Sequence, residues 1–268
     1  MTDREERVAI VTGGGRGLGR AMARGLAGAG FRVVITAARQ TEELAAVAAG
    51  EPSGRVVSLQ ADVTREEDCA RVVETALSRF GRLDVLVNNA GRGMKYVSER
   101  FLTEPPRFWE IRSEVFRMVI DTNVNGPFLM ARAATPAMLR AGWGRIVNIS
   151  MNRETMRRAG FSPYGPSKAA LESETAIWAQ DLAGTGVTVN ALLPGGATAT
   201  GMIPGGVPEK VRASFLQPEV MVPALLWLVS AGSNGVTGKR ITACRWPVDG
   251  TGPGDALEDA GWGPAAPA

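Results

Sequence analysis

The stretch "VTGGGRGLGRAMA", residues 11–23, decides how the rest of the chain is read. It overlaps the end of an apolar, β-branched run at residues 7–12 and opens an alanine-rich helical run at residues 17–29. Gly13, Gly17 and Gly19 are spaced G-x3-G-x-G. Glycine at 13 permits a tight strand-to-helix turn. Glycine at 17 lets the backbone approach a pyrophosphate, whose charge the first N–H groups and the helix dipole stabilise. A glycine trio by itself can be no more than a flexible turn; its place between a strand and a helix is what favours dinucleotide binding.

Working outward, "RVVITA" (32–37), "RVVSLQADV" (55–63), "LDVLVNNA" (83–90), "GRIVNIS" (144–150), "VTVNALLP" (187–194) and "VTGKRITA" (236–243) read as strands. Their near-continuous apolar character suits strands buried on both faces. Alternation with Ala-rich helical stretches is the pattern of a parallel sheet with crossover helices. The expectation is an α/β chain with a doubly wound parallel sheet of about seven strands, helices on both faces, in a single domain over residues 1–248. The Gly/Pro/Ala-rich tail, residues 249–268, is expected to be loosely held. Two stretches are irregular. Residues 91–111 contain "TEPPRFWE", whose adjacent prolines force a loop before the next helix. "GGATATGMIPGGVPE" (195–209) reads as a mobile flap, and so long a loop inside a compact domain is usually functional.

Composition narrows the chemistry. A chain of 268 residues, 45% of them hydrophobic, can bury a sizeable core as one large α/β domain or two small ones. No apolar run of about 18 residues is present, so no membrane span is expected. Residues 1–7 are charged and lead straight into a strand, so no signal peptide is expected and the cytoplasm is the expected location. Cys69 and Cys244 make no disulfide framework and read as two reduced thiols. Histidine is absent, which excludes Ser-His and Cys-His nucleophilic schemes and histidine metal sites. With two cysteines, no metal centre is expected either. Acid/base chemistry must then come from Tyr, Lys, Asp or Glu. A net charge of +3, with arginines spread along the chain, disfavours a nucleic-acid partner.

The glycine turn is followed in order by "ADV" (61–63), "NNAG" (88–91), "TNVNG" (122–126), "YGPSK" (164–168) and "LLPGG" (192–196). This ordered set resembles the short-chain dehydrogenase/reductase (SDR) family over residues 7–248. The resemblance implies a Rossmann-like fold, hydride transfer between a nicotinamide cofactor and a small-molecule alcohol/carbonyl pair, and a homo-oligomer, dimer or homotetramer. It implies cofactor contacts from Gly13, Arg16, Gly17, Leu18, Gly19 and Arg39, with Asp62 and Val63 at the adenine. Asn89, Ala90 and Gly91 would line the ribose, and Pro194, Gly195 and Ala197 would approach the nicotinamide. The family's flap threonine, five residues after the proline, corresponds here to Ala199, between Thr198 and Thr200, so that contact stays open. The stretch "CRWPVDG" (244–250) departs from the family's glycine-rich close, which leaves the oligomer open as well.

An NAD-selective second strand usually ends in Asp or Glu, which accepts hydrogen bonds from the adenosine ribose. Here Ala37 and Ala38 stand there, and Arg16 and Arg39 are available to pair with a 2′-phosphate. NADP(H) is therefore favoured over NAD(H); the alternatives are two merely solvated arginines and an NAD-dependent alcohol dehydrogenase.

Tyr164 and Lys168 are i and i+4 on a helix and share a face. Tyrosine ionises near pH ~10, too high for a good base near neutrality. A neighbouring ammonium and a positively charged nicotinamide favour the phenolate. In the family the tyrosine gives or takes the proton, the lysine also binds the nicotinamide ribose, and an asparagine corresponding to Asn123 holds a relay water. The family's hydroxyl lies thirteen residues before the tyrosine, and here that place is Met151. Three arrangements follow. Met151 lines the pocket and the enzyme works without that bond, at a cost of about 2.7–4 kcal/mol for a fully preorganised donor. Or Ser150, the expected catalytic stand-in, or Asn152 supplies it from a bulged strand end, because neighbours on a regular strand point to opposite faces. Or the protein binds cofactor without turnover, as a sensing protein.

Met151, Asn152 and Met202 are expected at the substrate. Arg92, Lys95, Arg153, Arg157 and Arg158 on the flanking loops suit an anionic substrate, or are solvated or at a subunit contact. Met94, Tyr96, Met156 and Phe161 suit a bulky ketone, or are ordinary packing.

Overall fold

A computed structural model describes residues 7–52, 54–247 and 252–261. Among the described residues, eight strands form one sheet: β1 (Val8–Thr12), β2 (Arg32–Ala37), β3 (Val56–Gln60), β4 (Val85–Asn88), β5 (Gly144–Ile149), β6 (Val187–Leu193), β7 (Lys239–Thr242) and β8 (Leu257–Asp259). Their order is β3-β2-β1-β4-β5-β6-β7-β8, parallel throughout except for β8, which runs antiparallel to β7. The helices are α1 (Gly17–Gly28), α2 (Thr41–Ala49), α3 (Glu66–Phe80), α4 (Ser113–Ile120), α5 (Gly126–Ala141), α6 (Arg153–Met156), α7 (Tyr164–Asp181), α8 (Glu209–Arg212) and α9 (Met221–Leu228).

The period-2 alternation of the buried strands divides the core in two. Ala9, Val11, Val33, Ile35 and Val87 face one side and meet Met22 and Leu26 of α1, Leu44 of α2, and Leu225 and Leu228 of α9. Val8, Ile10, Val34, Leu86 and Val189 face the other and meet Val72 and Ala76 of α3 and Met130 and Met138 of α5. This is the doubly wound arrangement expected from the sequence.

Strand ends differ from the expected ones for identifiable reasons. β3 stops at Gln60, short of the expected residue 63. There the Asp62 N–H donates to Asp68 Oδ2 at 2.8 Å, and Asp62 Oδ1 accepts from Thr64 N and Oγ1, which turns the chain. β7 starts at Lys239 because Gly238 sits at φ +68, outside the extended region.

The larger difference is β8, an eighth strand inside the stretch expected to be loose. Of that stretch, residues 249–251 and 262–268 lie outside the described residues, as do residues 1–6. The described part is anchored. Ala256 and Ala260 are buried, and Glu258 is paired with Arg153, Arg240 and Arg245. Composition read as loose because these partners are brought in from distant points of the chain.

Leu225, fully buried on α9, packs against the β1–β2 face. Leu225→Ala is expected to cost about 2–5 kcal/mol through lost burial and the cavity left behind, checked by urea unfolding.

Candidate active site

Strand order reverses between β1 and β4, and in such sheets the crevice outside the carboxyl ends of the strands is where ligands bind. The polar residues at these ends form a bonded set. Thr12 Oγ1 accepts from the N–H groups of Asn89 and Ala90, both at 3.0 Å. The Asn89 amide donates to the carbonyls of Thr12 (2.8 Å) and Gly13 (3.1 Å). Asn89, expected at a ribose, thus spends its side chain holding the glycine turn against the end of β4.

The turn tolerates no larger residue. Gly13 and Gly17 are left-handed, at φ +66 and +52, and a Cβ on Gly19 would lie 2.1 Å from the Gly13 carbonyl oxygen. With two of its carbonyls bound by Asn89 and no acidic residue in the first turn of α1, the turn suits an anionic group such as a pyrophosphate. Leu18 packs its side chain into the core. Arg16, in the turn, and Arg39, after β2, are exposed, with Arg16 3.7 Å from Glu43. Ala37 ends β2 with no carboxylate. Val63 is buried against Gly126, where any Cβ would come within 2.7 Å of it.

Below the crevice, the residues of "TNVNG" form a π-helical turn, Asp121–Asn125, a device frequent at functional sites. Asn123 is fully buried. Its Oδ1 accepts from Arg92 N (2.7 Å), and its Nδ2 donates to Arg92 O (2.9 Å) and Ser167 Oγ (3.0 Å). These bonds tie the loop after β4 to α7. Tyr164 opens α7, and Gly165 behind it is obligatory, since a Cβ there would lie 2.1 Å from the Met156 carbonyl oxygen. Lys168, one turn on and buried, donates to the Ile149 carbonyl at 2.7 Å. A Cβ on Gly91 would come within 3.2 Å of Asn123 Oδ1 and 3.8 Å of Lys168 Nζ, so these three positions converge. Burial pushes the Tyr164 hydroxyl up to about 12. It pushes the Lys168 ammonium down to about 8, against the opposing charge of Glu172.

β5 ends at Ile149, and the two residues that follow it make different contacts. Met151 packs with Tyr164 on a cluster of Met94, Phe101 and Phe161, the last two edge to face at 5.8 Å. Ser150 is buried with its hydroxyl donating to Glu172 Oε1 at 2.7 Å. Ser150, expected as the catalytic hydroxyl, is thus bound to a carboxylate of α7, the helix that Tyr164 opens. Asn152, expected at the substrate, donates instead to Gly195 O (3.1 Å) and ties this loop to the flap.

In the flap, Ala199 N and Leu216 N exchange hydrogen bonds with Leu216 O and Ala197 O, so Ala197 serves through its main chain. Pro194 O accepts from Cys244 N (3.0 Å), and Gly195 (φ +91) lies where a Cβ would meet the Cys244 thiol at 2.3 Å. Thr198 is buried and donates to Gly196 O, whereas the side chain of Thr200 comes within 3.3 Å of the Cβ position of Gly17. Thr200 is thus the flap threonine at the glycine turn. Met202 Sδ approaches the Cβ position of Gly93 at 3.3 Å, which sets the flap beside the loop after β4. Of the flanking cations, Arg153 is bound to Glu258, Asp259 O and Gly261 O. Arg92 and Arg158 lie over Tyr96 and Phe161. Thr12, Glu172 and Arg240 were not singled out in the sequence. Glu172 was within reach, since it continues the i, i+4 stripe of Tyr164 and Lys168.

Residues 7–206 match the family model described as short chain dehydrogenase. The chain is 36% identical over 197 residues to a 3-oxoacyl-[acyl-carrier-protein] reductase of Synechocystis, covering 73% of this chain and 76% of that one. It is 33% identical over 243 residues to cis-4-hydroxycyclohexanecarboxylate dehydrogenase of Sinomonas cyclohexanicum, covering 87% and 93%. A solved structure of 3-ketoacyl-(acyl-carrier-protein) reductase from Brucella melitensis, complexed with NADH, superposes with a TM-score of 0.77 at 30% identity, covering 89% of this chain and 96% of that one.

Because its hydroxyl donates to Glu172, Ser150→Ala is expected to cost about 1.5–3 kcal/mol, the worth of a hydrogen bond to a charged group. Dinucleotide affinity is expected to stay unchanged; thermal melts and a fluorescence titration check the two halves.

Proposed function

The chain belongs to the short chain dehydrogenase family, an oxidoreductase of the carbonyl/alcohol couple, and from that premise we propose that it interconverts a bulky apolar ketone and its alcohol with NADP(H), Met151 standing where relatives carry a hydroxyl. The observation that carries this reading is the convergence of Lys168, Asn123 and Gly91, with Tyr164, one turn before Lys168 on α7, packed against an apolar wall that includes Met151.

The nicotinamide, when bound, supplies or accepts the hydride. The glycine turn and Thr200 would hold its pyrophosphate, and Arg16 and Arg39 a 2′-phosphate. Tyr164, kept protonated by burial, gives its proton to the carbonyl oxygen during reduction and takes it back during oxidation. The Lys168 ammonium stabilises the phenolate left behind. Asn123 holds the Arg92 main chain and Ser167 in register with that pair. Met94, Met151, Phe101 and Phe161 exclude water and favour an apolar substrate, while Arg153 is committed elsewhere. The Sinomonas relative, a dehydrogenase of a hydroxycyclohexane acid, supports an alicyclic ring as a reasonable first substrate to try.

With hydrophobic cyclic ketones and NADPH, Tyr164→Phe is expected to lower kcat by about 100- to 10,000-fold, as removal of a general acid does. Wild-type reduction should decline as pH rises through about 8, where Lys168 loses its charge. Turnover that survives Tyr164→Phe, or that is absent across the ketone panel while cofactor binds tightly, would refute the reading in favour of a binding protein.

Glu43, 3.7 Å from Arg16, favours a second reading, in which a carboxylate near the ribose selects NAD(H). Calorimetric titration separates the two. NADPH is expected to bind about tenfold tighter than NADH or better, a preference reduced by Arg39→Ala, in line with one charge-assisted hydrogen bond. Tighter NADH binding would establish the second reading.

A further inference from the structure

Two turns along α7 from Tyr164 lies a second polar cluster, built around Arg240 of β7. Arg240 is 4% exposed, and its guanidinium reaches three separate parts of the chain. Nε donates to Glu172 Oε1 (3.1 Å), Nη1 to Glu258 Oε2 (3.2 Å) and Nη2 to the Met151 carbonyl (2.9 Å). Glu172 stands one turn beyond Lys168 on α7 and also accepts from Ser150. Glu258, on β8, accepts from Arg153 of α6 as well (3.3 Å), and Arg153 continues to the carbonyls of Asp259 and Gly261. One side chain thus joins the main chain of the pocket residue Met151, the helix that carries Tyr164 and Lys168, and the C-terminal strand.

Stability does not explain the cluster by itself, because a buried ion pair roughly breaks even with apolar residues of the same volume. Its geometry is what distinguishes it. A planar guanidinium spends three separate N–H groups on two carboxylates and one carbonyl, which fixes direction as well as distance. The two elements it bridges on the active-site side are the ones whose separation sets the gap between Met151 and Tyr164.

We propose that Arg240 is a positioning residue for the reaction, holding the Met151 loop at a set distance from the Tyr164–Lys168 helix, with Glu258 of β8 as the latch that holds Arg240 in place. The proposal rests on the reading of Tyr164 as the proton-transfer group. The latch itself is observable without turnover, as amide exchange in residues 151–156.

The test compares full-length Arg240→Met, Arg240→Lys and Glu258→Gln with Leu225→Ala, a core variant on the opposite face of the sheet that serves as the stability control. Each is measured for kcat and KM with ketone and NADPH, for NADPH affinity, and for hydrogen exchange. A misplacement of reacting groups by about 1 Å costs roughly 100-fold, so Arg240→Met is expected to lower kcat by about 10- to 100-fold. NADPH affinity should stay within about twofold, because the glycine turn is untouched. Arg240→Lys should recover part of the loss, and Glu258→Gln should show a smaller one. In all three, exchange at residues 151–156 should rise while β1 to β4 stay protected.

A kcat loss in Arg240→Met no greater than in Leu225→Ala at matched stability overturns the proposal. If Arg240→Met does not fold, Glu258→Gln decides: unchanged kcat and unchanged loop exchange overturn it. A wild-type protein without turnover defeats the functional reading instead, and loop exchange in Glu258→Gln then reports on the latch alone, unchanged exchange overturning it.

Discussion

The architecture of the site hangs on one short contact set, the hydrogen bonds between Thr12 and Asn89 across the ends of two parallel strands. Thr12 receives two N–H groups from the chain leaving β4, and the Asn89 amide returns two bonds to the chain leaving β1. Both strands are buried, so these loop groups have little access to water and must satisfy one another. The exchange fixes the path of the glycine turn, and that path is what makes Gly19 irreplaceable. It also sets the direction in which α1 presents its N-terminus. The loop after β4 is placed by the same bonds, and it delivers Gly91 to the neighbourhood of Asn123 and Lys168.

A second constraint runs along one stripe of α7. Tyr164, Lys168 and Glu172 succeed one another at helical spacing, and burial acts on the first two in opposite directions. The phenol is held protonated, and the ammonium is brought towards neutrality. Glu172 opposes the second effect, and its Oε1 accepts from both Arg240 and Ser150. The serine beside the site therefore belongs to the electrostatics beneath the site. The methionine after it packs in the apolar cluster of Met94, Phe101 and Phe161.

The chain leaves β5 at Ile149, and beyond the strand the two side chains meet different parts of α7, Ser150 at Glu172 and Met151 in the cluster beside Tyr164. Arg240 holds the Met151 main chain through its carbonyl. Met151 and Tyr164 pack on one apolar cluster with Met94, Phe101 and Phe161.

The sequence by itself determined the doubly wound sheet, since strand periodicity, the glycine spacing and the order of the motifs are all local or pairwise features of the chain. It also marked Tyr164 with Lys168 as a helical pair and Met151 as the residue out of place. Only the tertiary structure decided where Ser150 points, that Asn89 and Asn152 brace main chain, that Thr200 reaches the glycine turn, and that the terminal stretch adds a strand. These outcomes depend on partners far away in sequence: Glu172 for Ser150, Gly195 for Asn152, Gly17 for Thr200, and Arg153 and Arg240 for Glu258. A side chain's direction at a strand end or in a loop is set by which distant group offers the better bond after burial has removed water as a competitor, and no local pattern encodes that choice.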